Sequence, residues 1–408
     1  MLRVVAVSGF PPDPYGEAHY AGEVYSALAR LFPQEIELFV LAHKNPNAPN
    51  NIQVLPNLYI QRINDPKSRN RHLTALHLLR TIKMLRPNVV HFQGTHTKLW
   101  GGIIGEPITM LMLVLRAMKI PVMITLHSIW MPEDFEYLWE EKWLRGLSQV
   151  LKWDYRVNIK LIGKAAKLIN ILSAADHSPM VYKFQQAYRL DPTRVHNEAH
   201  GCTYAPTSET AQKKAKAKLG LEGCRIVLAV GFVRPDKGYH VLLDAADPLL
   251  RQFSDVVIVI AGEPHGRYGA SYASLLQNKR RLLRTRDRVV LELRYLSEEE
   301  LSIYFDAADI VVLPYLRVVG ASGPLHRALG CGKPVVATAL GHNLGLHEVC
   351  KLVSPNDSEQ LVVALASLLK SWDEYMLYRQ KSIEYASRHT WEDVARQYRN
   401  QYLQILEF

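Results

Sequence analysis

Short apolar runs separated by helix-like stretches recur along the whole chain. In the first half they fall at 3–8, 36–41, 88–92 and 121–126, and in the second at 225–231, 256–261, 289–292, 309–314 and 334–338. Runs of this kind, with little polar alternation, fit strands buried on both faces of a parallel sheet. The amphipathic stretches between them fit crossover helices, so the pattern predicts repeated βα units. Residues 203–220, TYAPTSETAQKKAKAKLG, interrupt the alternation with a run that lacks a large apolar face. A domain boundary near residue 202 follows, with a doubly wound α/β sheet on either side.

Two more helices are predicted from periodicity. In HTWEDVARQYRNQYLQIL, Thr390 can cap, and Trp391, Val394, Ala395, Tyr398, Tyr402 and Ile405 form an apolar stripe that packing alone explains. Near the middle of the first half, an acidic cluster (Glu133, Asp134, Glu136, Glu140, Glu141) precedes Trp143, Leu144, Leu147, Val150 and Leu151 at helical spacing. Lys152, Arg156, Lys160, Lys164 and Lys167 lie close by. This stretch reads as a core-facing helix with a solvated basic side, the alternative being a helix lying on a membrane surface. Residues 108–126 are the most apolar region, but Arg116, Lys119 and Pro121 break them into a helix and a strand, too short to span a bilayer.

A length of 408 residues suits two domains of about 200, and 48% hydrophobic content is that of a globular protein. Cys202, Cys224, Cys331 and Cys350 are too scattered for a disulfide framework or a metal knuckle, which points to a reducing compartment. The start, MLRVVAVSGFPP, is too short an apolar run for a secretory signal and reads as a first strand. A cytoplasmic protein is expected. The net charge of +10 is concentrated in residues 1–200, which hold +7 of it. Arg62, Lys67, Arg69, Arg71, Arg80, Lys83 and Arg86 cluster with only Asp65 opposing them. No nucleic-acid module accompanies this cluster, so an anionic membrane surface on the inner face, or a lipid-phosphate acceptor, is the expected partner; a merely solvated basic face is the alternative.

The chemistry concentrates in two turns of the second half. GASGPLHRALGCGKPVVAT, residues 320–338, places a helix start between two buried strands, with Ser322 as a cap, Pro324 in the first turn and Gly332 just past the end. Free N–H groups and the positive end of a helix dipole make such a start an anion site. Upstream, VLAVGFVRPDKGYHVLLDAA at 227–246 carries Arg234 and Lys237 on a turn at the carboxyl end of a strand, where open α/β sheets bind ligands. A guanidinium fork and an ammonium together can hold a diphosphate.

The order of GF.RPDKG, IVIAGEP, YLSEEELSIYFDAADIVVLPY and SGPLHRALGCGKPVVAT resembles the retaining nucleotide-sugar glycosyltransferases of family 4. The resemblance covers nearly the whole chain and is strongest over 225–345. It implies the GT-B fold, an α/β architecture of two doubly wound parallel-sheet (Rossmann-like) domains facing a cleft. The implied division is an acceptor-binding domain at 1–202, a nucleotide-sugar-binding domain at 203–385 and a C-terminal helix at 386–408 packing back on the first domain. The implied reaction moves a sugar from a nucleotide diphosphate to an acceptor hydroxyl, with no metal and no cofactor beyond the donor, and the two domains close on the donor to exclude water.

By the same resemblance His127, in VMITLHSIW, contacts the donor sugar near the reacting carbon, while Arg234 and Lys237 stabilise the departing diphosphate. Gly16, Ser322, Gly323, Leu325, Arg327 and Leu296 form the expected donor-binding set, and Glu17, His91 and His96 the acceptor-binding set. His91, Gln93 and His96, in VVHFQGTHT, are read equally as lining of a cleft wall. The chain departs from the family at three points. Tyr15-Gly16, in a turn before a helix expected to begin near His19, replaces a glycine pair, and the two acids of the E-x7-E element are Val319 and Arg327. An arginine at the second position is expected to face the nucleotide and alter its choice. A non-transferring protein of the same fold, or an epimerase or phosphorylase, is the alternative reading.

Overall fold

The computed structural model describes residues 1–64, 71–94, 107–135 and 148–407. The chain forms two compact units. The first comprises Met1–Gly201, Val319–Ala321 and Trp391–Phe408; the second comprises Cys202–Val318 and Ser322–Thr390.

The first unit runs β1 (Leu2–Val7), α1 (Gly16–Leu31), β2 (Ile36–His43), β3 (Asn51–Leu55), β4 (Leu58–Asn64), α2 (Arg71–Leu85), β5 (Val89–Gln93), α3 (Pro107–Ala117), β6 (Val122–Leu126), α4 (Ser148–Ala165), β7 (Leu168–Ser173), α5 (Pro179–Tyr188) and β8 (Val195–Ala199). Its sheet has the order β3-β4-β2-β1-β5-β6-β7-β8, parallel throughout except for the antiparallel β3–β4 pair. The strands expected from apolar runs are its centre. Sequence patterning misses β3, β4, β7 and β8, because β3 is an exposed edge, β4 (LYIQRIN) interrupts its apolar run with Gln61 and Arg62, β7 carries a buried Asn170 and β8 (VHNEA) is polar.

The second unit runs α6 (Glu209–Lys218), β9 (Arg225–Val230), α7 (Tyr239–Leu250), β10 (Val256–Ala261), α8 (Gly269–Leu282), β11 (Val289–Glu292), α9 (Glu298–Ala307), β12 (Ile310–Leu313), α10 (Gly323–Gly330), β13 (Val335–Thr338), β14 (Lys351–Val353), α11 (Ser358–Lys370) and α12 (Trp372–Arg388). Its sheet, β11-β10-β9-β12-β13-β14, is wholly parallel. The last helix, α13 (Trp391–Glu407), belongs to the first unit.

Burial follows the layer logic of doubly wound sheets. On one face of the first sheet, α2, α3, α4 and α5 share a core with β1, β5, β6 and β7 through Leu78, Met112, Ile159 and Phe184. On the other, α1 and α13 pack together through Tyr25, Leu28, Val394 and Tyr398. The stripe of α13 buries Val394, Ala395, Tyr398, Tyr402 and Ile405. Buried tyrosine hydroxyls need partners, and α13 supplies them in a network described below. The mid-chain helix departs from expectation: α4 buries Tyr155, Ile159 and Ile162, whereas Val150 is exposed. Leu151, also predicted apolar, packs partly buried against the core, while Trp143, Leu144 and Leu147 lie outside the described residues.

Candidate active-site residues

The two turns singled out by sequence meet in the second unit because β9 and β12 are neighbours. After β9 the chain passes through a short turn at Pro235–Lys237 to Gly238, whose φ is +64°. A Cβ on Gly238 would lie 1.9 Å from the Pro314 carbonyl oxygen, so only glycine lets the turn close against the end of β12. The Leu316 N–H donates to the Asp236 carbonyl at 2.9 Å and fixes that approach. As a result the Lys237 ammonium sits 3.7 Å from the centroid of the Tyr315 ring. The Tyr315 hydroxyl in turn lies 3.2 Å from Ser322 Oγ, at the start of α10. Lys237, Tyr315 and the α10 N-terminus are one contiguous group.

Ser322 does not act as the expected cap. It occupies the N-cap position with extended backbone, but its hydroxyl faces Tyr315 and makes no cap hydrogen bond. The first-turn N–H groups of Gly323 and Leu325 have no intrahelical acceptor, and the residue that would have covered them is turned away. The anion-binding character of the helix start is strengthened by this. A Cβ on Gly323 would meet nothing within 4 Å, and the Leu325 side chain is buried in the core, so both offer backbone to a ligand.

Arg234 directs Nε and Nη2 to the Asp236 carboxylate at 2.9 and 2.6 Å. Asp236 therefore orients the guanidinium as a fork and offsets part of its charge. Arg327 is a correction to the donor set. Its Nη1 donates to Glu298 Oε2 at 2.7 Å and its Nη2 to Ser302 Oγ at 2.7 Å, while the guanidinium covers the Phe305 ring at 5.2 Å. Glu298 and Ser302 of α9 hold it in place, where the sequence suggests an arginine free to face the nucleotide. Leu296, just before the α9 capping box of Ser297 and Glu300, is buried, so its side chain packs and only its backbone can meet a ligand.

In the first unit His127 follows β6. Gln93, whose amide nitrogen donates to the Tyr25 hydroxyl, turns its oxygen toward His127 Nε2 at 2.7 Å. With Nε2–H donating, Nδ1 is the lone-pair nitrogen. Burial pushes the His127 pKa down to about 3, so the ring is neutral at every working pH. Tyr20 packs edge-on against it at 4.8 Å, and Tyr20, His200 and Trp391 pack mutually at 5.2–5.3 Å. His200 follows the end of β8, a strand too polar (VHNEA) to stand out in the sequence, so only its place just past a strand end marks it. Beside His127, the Ile129 N–H donates to the Val319 carbonyl at 2.8 Å, and Ser128 pairs with Gly320. A Cβ on Gly320 would lie 2.1 Å from the His127 carbonyl oxygen.

His91 does not line an acceptor site. It is fully buried, with Nδ1 2.7 Å from the Tyr402 hydroxyl and 3.2 Å from that of Tyr25, and Nε2 2.9 Å from Thr125 Oγ1. Burial holds its pKa near 3 as well, and its work is to tie α13 to the sheet. Gln401 of the same helix donates to Glu198 at 3.0 Å and accepts from Asn170 at 2.8 Å; burial pushes the Glu198 carboxyl up to about 8. His96 lies outside the described residues.

Gly16 is the first residue of α1, three residues earlier than expected, with Tyr15 at the N-cap making no side-chain bond. Glu17, in the first turn, is half-buried. A Cβ on Gly16 would meet nothing within 4 Å. The loop before it is held by Arg62, which is another correction. Far from facing a membrane, Arg62 is buried, pairs with Asp13 at 2.9 Å and donates to the carbonyls of Phe10, Pro11 and His43 at 2.7–3.0 Å. Among the described residues no three His, Cys, Asp or Glu side chains gather as a metal site.

Residues 224–371 match the family model described as Glycosyl transferases group 1. The chain is 30% identical over 203 residues to D-inositol 3-phosphate glycosyltransferase of Corynebacterium urealyticum, covering 48% of this chain and 46% of that protein. It is 22% identical over 333 residues to mannosylfructose-phosphate synthase of Agrobacterium fabrum, covering 78% and 69%. Against the first of these, the match spans about half of the relative's length. Among solved structures, HepE of Anabaena in complex with UDP superposes with a TM-score of 0.71 at 16% identity, covering 98% of this chain and 99% of that one. Sucrose-phosphate synthase of Thermosynechococcus elongatus superposes with a TM-score of 0.72 at 18% identity, covering both chains fully.

Proposed function

Because residues 224–371 form a glycosyl transferases group 1 domain in a chain of GT-B fold, we propose that the protein is a retaining hexosyltransferase using a nucleoside-diphosphate sugar. The observation that carries this reading is the contiguity of Lys237, Tyr315 and Ser322, which joins a cation to an uncapped helix start. One such group suits the two phosphates of a sugar nucleotide: the ammonium for one, the N–H groups of Gly323 and Leu325 for the other. HepE, crystallised with UDP and with UDP-glucose, makes a uridine nucleotide the first donor to test.

In the proposed reaction the bond between the anomeric carbon and the β-phosphate oxygen breaks, and the electron pair leaves with the diphosphate. Lys237, Arg234 and the α10 N–H groups stabilise that growing charge. The acceptor hydroxyl attacks from the face the diphosphate leaves and gives its proton to the departing phosphate oxygen, so configuration is retained. The chain carries no D-x-D element, and the charge is assigned to these protein groups. Neutral His127 presents Nδ1 as an acceptor for a donor-sugar hydroxyl, while Gln93 and Tyr20 hold its ring. Gly16 lets backbone approach the ligand, Glu17 is assigned to the acceptor, and an acceptor on a lipid or surface glycan fits the basic first unit.

Two substitutions separate binding from folding. Gly16→Ala leaves stability unchanged or raises it slightly, because the new methyl meets no protein atom. If a ligand approaches this backbone, the same change raises the donor or acceptor KM; wild-type kinetics in the variant would remove Gly16 from the site. Arg327→Ala is expected to cost about 1 kcal/mol of stability or less, as for a part-exposed ion pair, with relative affinities for uridine, guanosine and adenosine diphosphates unchanged. A reordering of those three affinities would restore Arg327 to the nucleotide site.

A further inference from the structure

Residues 66–132 contain nine Lys and Arg but a single acid, Glu106. Two described helices of this stretch, α2 and α3, pack against each other, and α3 packs against α4. Their inward sides share one core, so their outward sides lie on one surface of the first unit. That surface is apolar as well as basic. On α2, Leu76 and Met84 are exposed on the same side as Arg80 and Lys83, Met84 by 73%. On α3, Met110 and Val114 stand one turn apart, exposed, with Arg116 and Lys119 beyond them. On α4, Trp153 is 64% exposed and is followed by Arg156, Lys160 and Lys164.

We infer that the outer faces of α2, α3 and α4 dock this protein onto an anionic lipid bilayer. Several unbranched or aromatic apolar side chains on three adjacent helices exceed the scatter of single exposed apolar residues found on any monomer. A merely solvated basic face has no use for them. The combination is that of an interfacial helix layer, with Leu, Met and Trp entering the acyl boundary while Lys and Arg reach the lipid phosphates. A second copy of the chain fits poorly, because a self-complementary contact would bring this surface, basic apart from Asp154 on α4, against itself. A nucleic acid fits poorly because the apolar groups are mainly aliphatic and offer no row of stacking rings. The inference replaces the basic cluster read from sequence with a defined surface: Arg62 is absent from it, and α4, which that cluster did not include, contributes the largest side chain. It does not depend on the proposed reaction.

The test is flotation of the full chain, without any sugar nucleotide, with vesicles of phosphatidylcholine alone and of phosphatidylcholine with phosphatidylglycerol. Binding to the anionic vesicles is expected to exceed binding to the neutral ones at least tenfold at low salt and to weaken as salt rises. Each cation near such a surface contributes a factor of about five, so Arg80→Glu with Lys83→Glu lowers the partition coefficient about 30-fold or more. Leu76→Ser with Trp153→Ser weakens binding that persists at high salt, and all variants keep the wild-type unfolding midpoint and UDP affinity. Equal binding to both vesicle types, or variants that bind like wild type, would overturn the inference. So would sedimentation showing a dimer that the Leu76→Ser, Trp153→Ser variant dissolves, which would assign the surface to self-association. Failure of vesicle binding with intact nucleotide affinity leaves the proposed reaction standing.

Discussion

Lys237→Ala lowers the rate of sugar transfer about 10²- to 10³-fold, the effect of removing one preorganised donor from a developing anion, with little change in stability. The size follows from position. Lys237 lies on a short turn with no buried residues, so truncation leaves no cavity, but it removes the ammonium held over Tyr315 beside the α10 start. Arg234→Ala acts on the same charge and is expected to lose a similar factor. The pair of substitutions should lose less than the product, because in the proposed reaction both serve one leaving group. A conservative Lys237→Arg variant keeps the charge and recovers part of the rate. Kinetics with excess donor read the outcome: near-wild-type kcat in the doubly truncated variant would remove both cations from the chemistry.

Arg62→Ala is expected to destabilise the first unit by about 3–5 kcal/mol, the cost of leaving one member of a buried ion pair without its partner. Arg62 and Asp13 side chains are 1% and 2% exposed. The substitution leaves the buried Asp13 carboxylate with Asn45 and the Phe10 N–H, and it removes the guanidinium donors to the carbonyls of Phe10, Pro11 and His43. This is a large share of the roughly 5–15 kcal/mol by which domains are stable. Arg62→Met with Asp13→Leu removes both charges at similar volume and should recover much of the loss. Urea unfolding of the two single variants and the double variant measures the coupling. A loss below about 1 kcal/mol in Arg62→Ala would mean that the loop before Gly16 is not held by this pair.

The sequence-level reading succeeds where a feature is local. Five of the six strands of the second unit carry apolar runs legible in the sequence, the three-residue edge strand β14 (KLV) being missed, and the β9 turn and the α10 start are marked by Gly238, Ser322, Pro324 and Gly332 close to the proposed site. It fails where the deciding partner is remote. Ser322 looks like a cap, but Tyr315 engages its hydroxyl. Arg327 looks free to face a nucleotide, but Glu298 and Ser302, on the neighbouring α9, hold it. His91 looks like a cleft ligand, but Tyr402, 311 residues later, fills its hydrogen bond. Arg62 counts as a surface cation until Asp13 is seen beside it. The polar strand β8 carries no apolar run because it is a sheet edge, and with it His200 goes unseen. Charge and periodicity register neighbours along the chain; burial and pairing across it decide which cations remain available.

The proposed nucleoside-diphosphate site at the β9 turn and the α10 N-terminus is read by titration calorimetry with UDP on wild type and on the double variant Arg234→Ala, Lys237→Ala. The expected result is saturable binding by wild type, with free UDP at a hundredfold over its Kd raising stability by about 2.7 kcal/mol, and affinity in the double variant weaker by at least about 10²-fold, as for two lost charge-assisted contacts. Equal affinity in both proteins, or no binding of UDP, GDP or ADP by wild type, would contradict the proposed site.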